Sequence, residues 1–246
     1  MKKVISIVIA TYNAEKTIKR CLNSIVSQKT DPIELVIVDG ASADQTMNIV
    51  RSFAESLDVV VSEPDKGIYD AWNKALRLVT GEWIMFLGAD DYLLDGSIGL
   101  YWNYLNNHVL EEVDIITAQS KLIDSKGRYL RILGNPYRIK EFRCYMKISH
   151  GSTLHNRKLF DELGDFNLSF KICADYEFLL RKNLNAGYIG IPTIAMQVGG
   201  VSNTIKGLLE SFQVKHYRKS IPFLLNVYYL IKGIVGYYVR RIGIIN

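Results

Sequence analysis

Residues 62–91 read SEPDKGIYDAWNKALRLVTGEWIMFLGADD, and the end of this stretch decides the fold. The run Trp83-Ile84-Met85-Phe86-Leu87 has no polar position, the pattern of a strand buried on both faces of a sheet. Gly88-Ala89-Asp90-Asp91 then falls just beyond the carboxyl end of that strand, where open parallel sheets place their ligands. Two adjacent carboxylates there repel each other. One of them is pushed to hold its proton, or a cation joins them, and hard oxygen donors suit Mg2+ or Mn2+ bridged to substrate phosphates. An isolated Asp-Asp pair serves equally well as a solvated turn with Asp capping the next helix.

Working outward, residues 4–9 form an apolar, β-branched run, and residues 14–28 follow with Ile18, Leu22, Ile25 and Val26 at helical spacing. The same order returns with residues 35–38 and 44–56, then 59–61 and 68–79, then 83–87. Such alternation predicts an α/β fold, a mostly parallel sheet with helices on both faces. The residues just after each strand are Thr11-Tyr12-Asn13, Asp39-Gly40-Ala41-Ser42, Glu63-Pro64-Asp65 and Asp90-Asp91, so acidic and polar groups collect along one edge. That is the pattern of a nucleotide-binding edge that uses a metal. No G-x-G-x-x-G follows the first strand and no G-x-x-x-x-G-K-[ST] is present, which disfavours glycine-cradled dinucleotides and P-loop nucleotides.

The chain has 246 residues, 48% of them hydrophobic, enough for one long domain or a domain with an appendage. Cys21, Cys144 and Cys173 lack metal-ligand spacing, and MKKVISIVIATYN is too short for a secretory signal core, so the reading is a reducing, cytoplasmic compartment. Charge is uneven. Residues 206–246 hold seven Lys or Arg against Glu210 alone, a net +6 in a chain of net +5, which leaves residues 1–205 at −1. That division sets a body of residues 1–205 against a basic, apolar helical tail of residues 206–246. The tail mixes its cations with aromatic and aliphatic residues, as peripheral membrane helices do. Lys232 interrupts it and Pro222 and Gly233 break it up, so no span of about 20 apolar residues is offered. Packing on the protein's own core or in a homodimer is the other use of such a tail. A body without excess positive charge, and without a base-stacking module, argues against nucleic acid.

In the second half, residues 172–181, ICADYEFLLR, start a helix that leaves Asp175 near its positively polarised end. An ionised carboxylate held there can take a proton from an attacking hydroxyl, and it can equally serve only as a cap. His150, in Ser149-His150-Gly151-Ser152, is a second candidate, although a lone histidine is more often a structural hydrogen-bonding group.

Four short motifs stand in order: SIVIATYN at residues 6–13, VDGASADQT at 38–46, GEWI at 81–84 leading to Asp90-Asp91, and ADYE at 174–177 with Arg181. Together they resemble the family 2 glycosyltransferases of the GT-A fold, over residues 4 to about 203. Residues 62–74 and 198–202 are most similar to bacterial enzymes that build exopolysaccharides of the colanic-acid type, or O-antigen.

The resemblance implies a nucleotide-sugar donor such as a UDP- or GDP-sugar, with Thr11, Asn13 and Asp39 near its base and ribose and Asp65, Lys66 and Asn73 on its pyrophosphate and sugar side. It implies Asp91 as holder of a divalent cation, Asp90 facing the donor sugar or ribose, Asp175 as catalytic base, and His150 in the region that faces the acceptor. Two departures stand out: GADD lacks the first carboxylate of the family's D-x-D element, and Ala174 precedes the base where Glu is common. The implied reaction is an inverting transfer to a hydroxyl of a saccharide acceptor, lipid-linked at the inner face of the cytoplasmic membrane. A sugar-phosphate nucleotidyltransferase is the neighbouring enzyme class, but Ala10-Thr11-Tyr12-Asn13-Ala14-Glu15 is not its Gly-rich basic signature. An inactive membrane-associated binding subunit is the reading from outside enzymology.

Overall fold

The structure, a computed structural model, describes residues 4–30, 32–200 and 204–241, with side chains placed to residue 239. Strands β1 (Ile5–Thr11), β2 (Ile33–Asp39), β3 (Val59–Ser62) and β4 (Trp83–Gly88) lie in the order β3-β2-β1-β4, all parallel. They alternate with helices α1 (Ile18–Val26), α2 (Thr46–Arg51) and α3 (Ile68–Leu76). Side chains alternate across a strand, so each apolar run feeds two cores. Ile7, Ile9, Leu35, Ile37, Met85 and Leu87 pack on α1, through Ile18, Cys21, Leu22 and Ile25. Val8, Val36, Val38, Ile84 and Phe86 pack on the other side against Tyr69, Trp72 and Ala75 of α3. Burial on both faces is why β1, β2 and β4 carry so few polar residues.

Register brings the strand ends into line. Thr11 pairs with Asp39, Asp39 with Ser62, and Ala10 with Gly88, so the polar residues after each run sit side by side on one edge.

Beyond β4 the sheet is mixed rather than continuing parallel. After the short β5 (Tyr92–Leu93) and helix α4 (Ser97–Asn107) come β6 (Ile115–Ile123), β7 (Tyr129–Leu133), helix α5 (Ile139–Phe142) and β8 (Thr153–Asn156). Helices α6 (Lys158–Leu163) and α7 (Ala174–Leu179) and the long β9 (Ala186–Gln197) follow. β8 runs antiparallel between β4 and β6, β9 is parallel to β6, and β5 closes antiparallel on the far side of β9. β6 runs unbroken from Ile115 to Ile123, although its register against β9 shifts between Ala118 and Ser120.

The chain ends in a helix pair, α8 (Ile205–Tyr217) and α9 (Phe223–Arg241). Gly233 does not break α9, which runs on as a helix of 19 residues, because Gly233 faces Leu208 of α8 where the two helices approach closely. Pro222 precedes the first turn, where a missing N–H costs nothing. Asn226, buried in the pair, donates from Nδ2 to Phe212 O at 2.9 Å. The outer face of α9 carries Leu224, Tyr228, Ile231, Val235 and Tyr238 at heptad spacing, each at least 50% exposed. No helix among the described residues is long and apolar enough to cross a membrane. Residues 242–246, and Val201 and Ser202 of the 198–202 motif, lie outside the described residues.

Candidate active site

The first part of the site is the loop after β1 and β2. Asp39, fully buried, accepts from Ser42 N at 2.9 Å, Ser42 Oγ at 2.5 Å and Ser62 Oγ at 2.6 Å, so serines of two loops fix its carboxylate. Asn13 takes a left-handed backbone with φ 48°, which asparagine tolerates better than most residues. Its N–H donates to Ser42 Oγ at 2.8 Å and its Oδ1 accepts from Ala43 N at 3.0 Å. Thr11 Oγ1 is buried among these groups without a hydrogen-bond partner, an unmet group of the kind a ligand satisfies.

Asp65 and Tyr12 face each other across Gly40. A methyl group on Gly40 would lie 2.5 Å from Asp65 Oδ2 and 3.3 Å from the Tyr12 ring, so the chain leaves that space open. Tyr12, 65% exposed, presents a free aromatic face beside these carboxylates, which the motif reading did not assign. Lys66 is exposed, and its backbone N–H donates to Asp70.

Asn73 has a different employment from the one expected on the pyrophosphate side. It is buried, its Nδ2 donates to Phe166 O and its Oδ1 accepts from Phe166 N, both at 2.9 Å. Both ends of the amide tie α3 to the chain before α7, a structural role in addition to any contact with a ligand.

The second part is the turn after β4. Asp91 is 8% exposed, and its Oδ1 accepts from Gln197 N at the end of β9 at 3.0 Å. Burial first, and then the neighbouring charge of Asp90, push its carboxyl up to about 7. Arg20 of α1 answers part of that charge: its Nη2 donates to Asp90 O at 2.8 Å and to Gln197 Oε1 at 3.1 Å, and its guanidinium lies 4.7 Å from the centre of the Tyr92 ring. Gly88 makes the arrangement possible, because a methyl there would lie 2.8 Å from Asp90 Oδ1 and 3.1 Å from Asp91 Oδ2. A divalent cation fits this pair. Among the described residues Asp91 Oδ2 has no hydrogen-bond partner, the donors are hard oxygens, and a cation would relieve both the burial and the repulsion. No group of three or more His, Cys, Asp or Glu suited to an ion occurs among the described residues.

The third part is Asp175, the second residue of α7. It is not the cap of that helix; Cys173 holds that position and gives no side-chain cap. Asp175 Oδ1 lies 2.8 Å from the Tyr69 hydroxyl and accepts from Tyr176 N at 2.8 Å, and Oδ2 has no partner among the described residues. Burial pushes its carboxyl up to about 6, against the two donors on Oδ1. A carboxyl in that range is mostly ionised at neutral pH yet basic enough to accept a proton, and Oδ2 is the atom free to take it.

An aromatic wall joins the second and third parts. Tyr69 meets Trp72 edge-on at 5.2 Å, and Trp72 stacks on His150 at 5.2 Å. Gly151, next along, comes close enough that a methyl on it would lie 3.9 Å from Asp91 Oδ2. Burial pushes the His150 imidazole down to about 3, so it is neutral, and its Nε2 has no partner. Behind Asp175, the buried Glu177 holds Arg181 at 2.6 Å and Arg218 at 3.5 Å, which fixes α7 to the end of α8. A cleft of about 450 Å³ lined by Thr80, Glu82, Asn156, Arg157 and Asp161 opens near the amino ends of the strands, away from these groups.

Comparison with known proteins gives this geometry a family. The sequence profile of Glycosyl transferase family 2 matches residues 6–168. A PGL/p-HBAD biosynthesis glycosyltransferase of Mycobacterium tuberculosis is 31% identical over 209 residues, covering 81% of this chain and 79% of the relative. TarS of Staphylococcus aureus, a poly(ribitol-phosphate) beta-N-acetylglucosaminyltransferase, is 31% identical over 195 residues, 76% of this chain and 33% of TarS. The solved structure of TarS residues 1–349 with UDP-GlcNAc superposes with a TM-score of 0.69 at 18% identity, covering 94% of this chain and 71% of that one. The mannosyltransferase PcManGT of Pyrobaculum calidifontis, solved with GDP-Man and Mn2+, gives 0.66 at 22% identity, covering 94% and 70%. With the GT-A fold shared and the profile matched from β1 through α6, the chain is a glycosyltransferase and belongs to glycosyltransferase family 2.

Proposed function

We propose that this glycosyltransferase moves a sugar, with inversion at the anomeric carbon, from a nucleoside-diphosphate sugar to a hydroxyl of a lipid-linked saccharide in bacterial surface polysaccharide synthesis. The observation that carries the reading is the joining of a carboxylate pair, Asp91 buried and Asp90 exposed beside it, to the hydrogen-bonded carboxylate of Asp175 by one aromatic wall. The donor's base and ribose lie over Tyr12, Thr11, Asn13 and Asp39, and its diphosphate passes Asp65 and Lys66 toward Asp90 and Asp91. A divalent cation, Mn2+ or Mg2+, held at Asp91 supplies charge neutralisation for the departing diphosphate.

Asp175 Oδ2 takes the proton of the acceptor hydroxyl as its oxygen bonds to the anomeric carbon, and the bond from that carbon to the diphosphate oxygen breaks. Tyr69 and Tyr176 N–H hold Oδ1, so the carboxylate presents one oxygen in a fixed direction. His150 is neutral, so it offers no charge stabilisation, and its Nε2 is buried without a partner. Residues 206–246 bring the enzyme to the acceptor: the exposed apolar stripe of α9 enters the interfacial layer, with Lys219 and Lys232 beside it to meet anionic headgroups.

A thermal-shift screen of UDP-, GDP-, CMP- and dTDP-sugars, with and without Mn2+, tests the donor, since a ligand that binds only the folded state raises its melting temperature. One nucleotide class giving a Mn2+-dependent rise is expected; no rise with any of them overturns the donor reading. Retention of anomeric configuration in the product, read by proton NMR, overturns the single-displacement step. For the tail, flotation with phosphatidylglycerol vesicles should recover the intact protein, and the variant Leu224→Gln, Tyr228→Gln, Ile231→Gln should stay behind. Equal flotation of both removes the membrane role of α9.

A further inference from the structure

The start of α7 is held from three sides, and one of the holders comes from the C-terminal helix pair. A helix leaves its first N–H groups without partners, and Cys173 supplies no cap. Glu210 of α8 takes that place. Its Oε1 accepts from Ile172 N at 2.6 Å and from Cys173 N at 2.8 Å. The carbonyl of the same Ile172 accepts from the Tyr69 hydroxyl at 2.7 Å, and Cys173 Sγ donates to Gly207 O of α8 at 3.6 Å. Both amides that Glu210 binds lie within three residues of Asp175, and hydrogen bonds to an ionised carboxylate are short and strong.

We infer that Glu210 is a positioning residue for Asp175, so that the C-terminal helix pair is a working part of the transfer site. The inference rests on the reading of Asp175 as the catalytic base.

Two physical effects follow from the contact. The carboxylate fixes the backbone that aims Asp175 Oδ2, and a misplacement of about 1 Å at a reacting group costs on the order of 10²-fold in rate. It also adds negative charge near the base. The groups that face Asp175 are Tyr69 from α3, its own helix N–H groups at 175 and 176, Cys173, and Glu210 from α8. Glu210 opposes ionisation of Asp175, in the same direction as burial, while Tyr69 and the N–H groups favour it. Lys215 of α8 is buried, donates to Cys144 O at 3.3 Å and lies 5.6 Å and 5.7 Å from the ring centres of Tyr145 and Tyr229, and its charge acts on the neighbouring Cys173.

The test uses the full chain with Glu210→Gln, Glu210→Ala and Asp175→Asn. Two quantities are read: hydrolysis of UDP-glucose in Mn2+ as a function of pH, or of whichever sugar nucleotide the thermal screen selects, and titration of the Asp175 carboxyl carbon by 13C NMR. Glutamine keeps an acceptor for the two amides and removes the charge. Glu210→Gln should therefore fold as the parent does, and the Asp175 titration and the acid limb of the rate should both move to lower pH. A merely structural role would move neither. Glu210→Ala should lose about 10²-fold in the plateau rate with donor KM unchanged. If that variant fails to give the parent's circular dichroism, the glutamine variant decides. Near-parent turnover in Asp175→Asn overturns the base assignment. Loss of turnover in Asp175→Asn together with an unshifted titration and acid limb in Glu210→Gln overturns the role of Glu210 alone.

Discussion

The hydroxyl of Tyr69 lies 2.8 Å from Asp175 Oδ1, a residue 106 positions later in the chain, and 2.7 Å from Ile172 O. Its one hydrogen is shared between a carboxylate and a carbonyl. When Asp175 is ionised the shared hydrogen stabilises its charge, so Tyr69 favours the charged form.

Tyr69→Phe removes this donor and leaves the ring in the aromatic wall. The Asp175 carboxyl should rise from about 6, because the charged form loses a partner. Turnover requires the ionised form, so the rate should fall most below neutrality and recover in part on the alkaline side. A pH profile of kcat checks this; a loss equal at every pH would mean that Tyr69 acts only through shape.

Asp175→Asn should lose about 10²- to 10⁴-fold in turnover, the range for removal of a general base, with donor affinity nearly unchanged. It should also stabilise the fold at neutral pH. The carboxyl is at about 6 in the folded chain against 3.8 when unperturbed, so between those values the folded state binds more protons than the unfolded one. Its contribution to stability is therefore present in acid and lost as pH rises through that window. Melting temperatures of parent and variant should agree near pH 4 and diverge by pH 7.5, with the variant higher.

Gly88→Ala should leave the fold intact and damage cation binding. The added methyl would meet Asp90 Oδ1 at 2.8 Å and Asp91 Oδ2 at 3.1 Å, and those are tips of side chains that can turn aside. Mn2+ affinity, read by the Mn2+-dependent part of the thermal shift, should weaken by about 10-fold or more, the scale seen when groups that orient metal ligands are disturbed. Unaltered Mn2+ response would place the ion elsewhere.

Asn73→Ala should cost stability rather than donor affinity. It strands Phe166 N–H and Phe166 C=O, each at about 1–3 kcal/mol when buried. Melting should drop by several degrees while the KM for the donor moves by less than about threefold. A tenfold rise in that KM with the melting point unchanged would restore Asn73 to the donor site.

The residues that sit just past strand ends were legible because a buried parallel strand declares itself by an unbroken apolar run, and its carboxyl end follows from direction alone. Asp39, Asp65, Asp90 and Asp91 were found in that way, and register then aligned the first of them with Thr11 and Ser62. β8 was not legible, because Thr153-Leu154-His155-Asn156 is short and carries a single apolar residue. Nor was the employment of Asn73, since a polar residue on a helix shows its type but not which way its turn faces. Gly233 looked like a break because propensity says so; the packing of α8 on α9 overrides that preference. Tyr69 and Glu210 carried no local signal as partners of α7, since each meets it only after the chain has folded back.

The contact between Glu210 and the amides of Ile172 and Cys173 also limits how this enzyme can be re-engineered. The change of composition at residue 206 invites exchange of everything after it. A chimera joined there discards the acceptor of two backbone donors close to Asp175, and the new tail must bring a carboxylate back to the same turn of its first helix. Joining after residue 220, between α8 and α9, keeps that acceptor and exchanges α9 with its exposed stripe, provided the new helix restores the packing of Asn226 and Gly233 on α8.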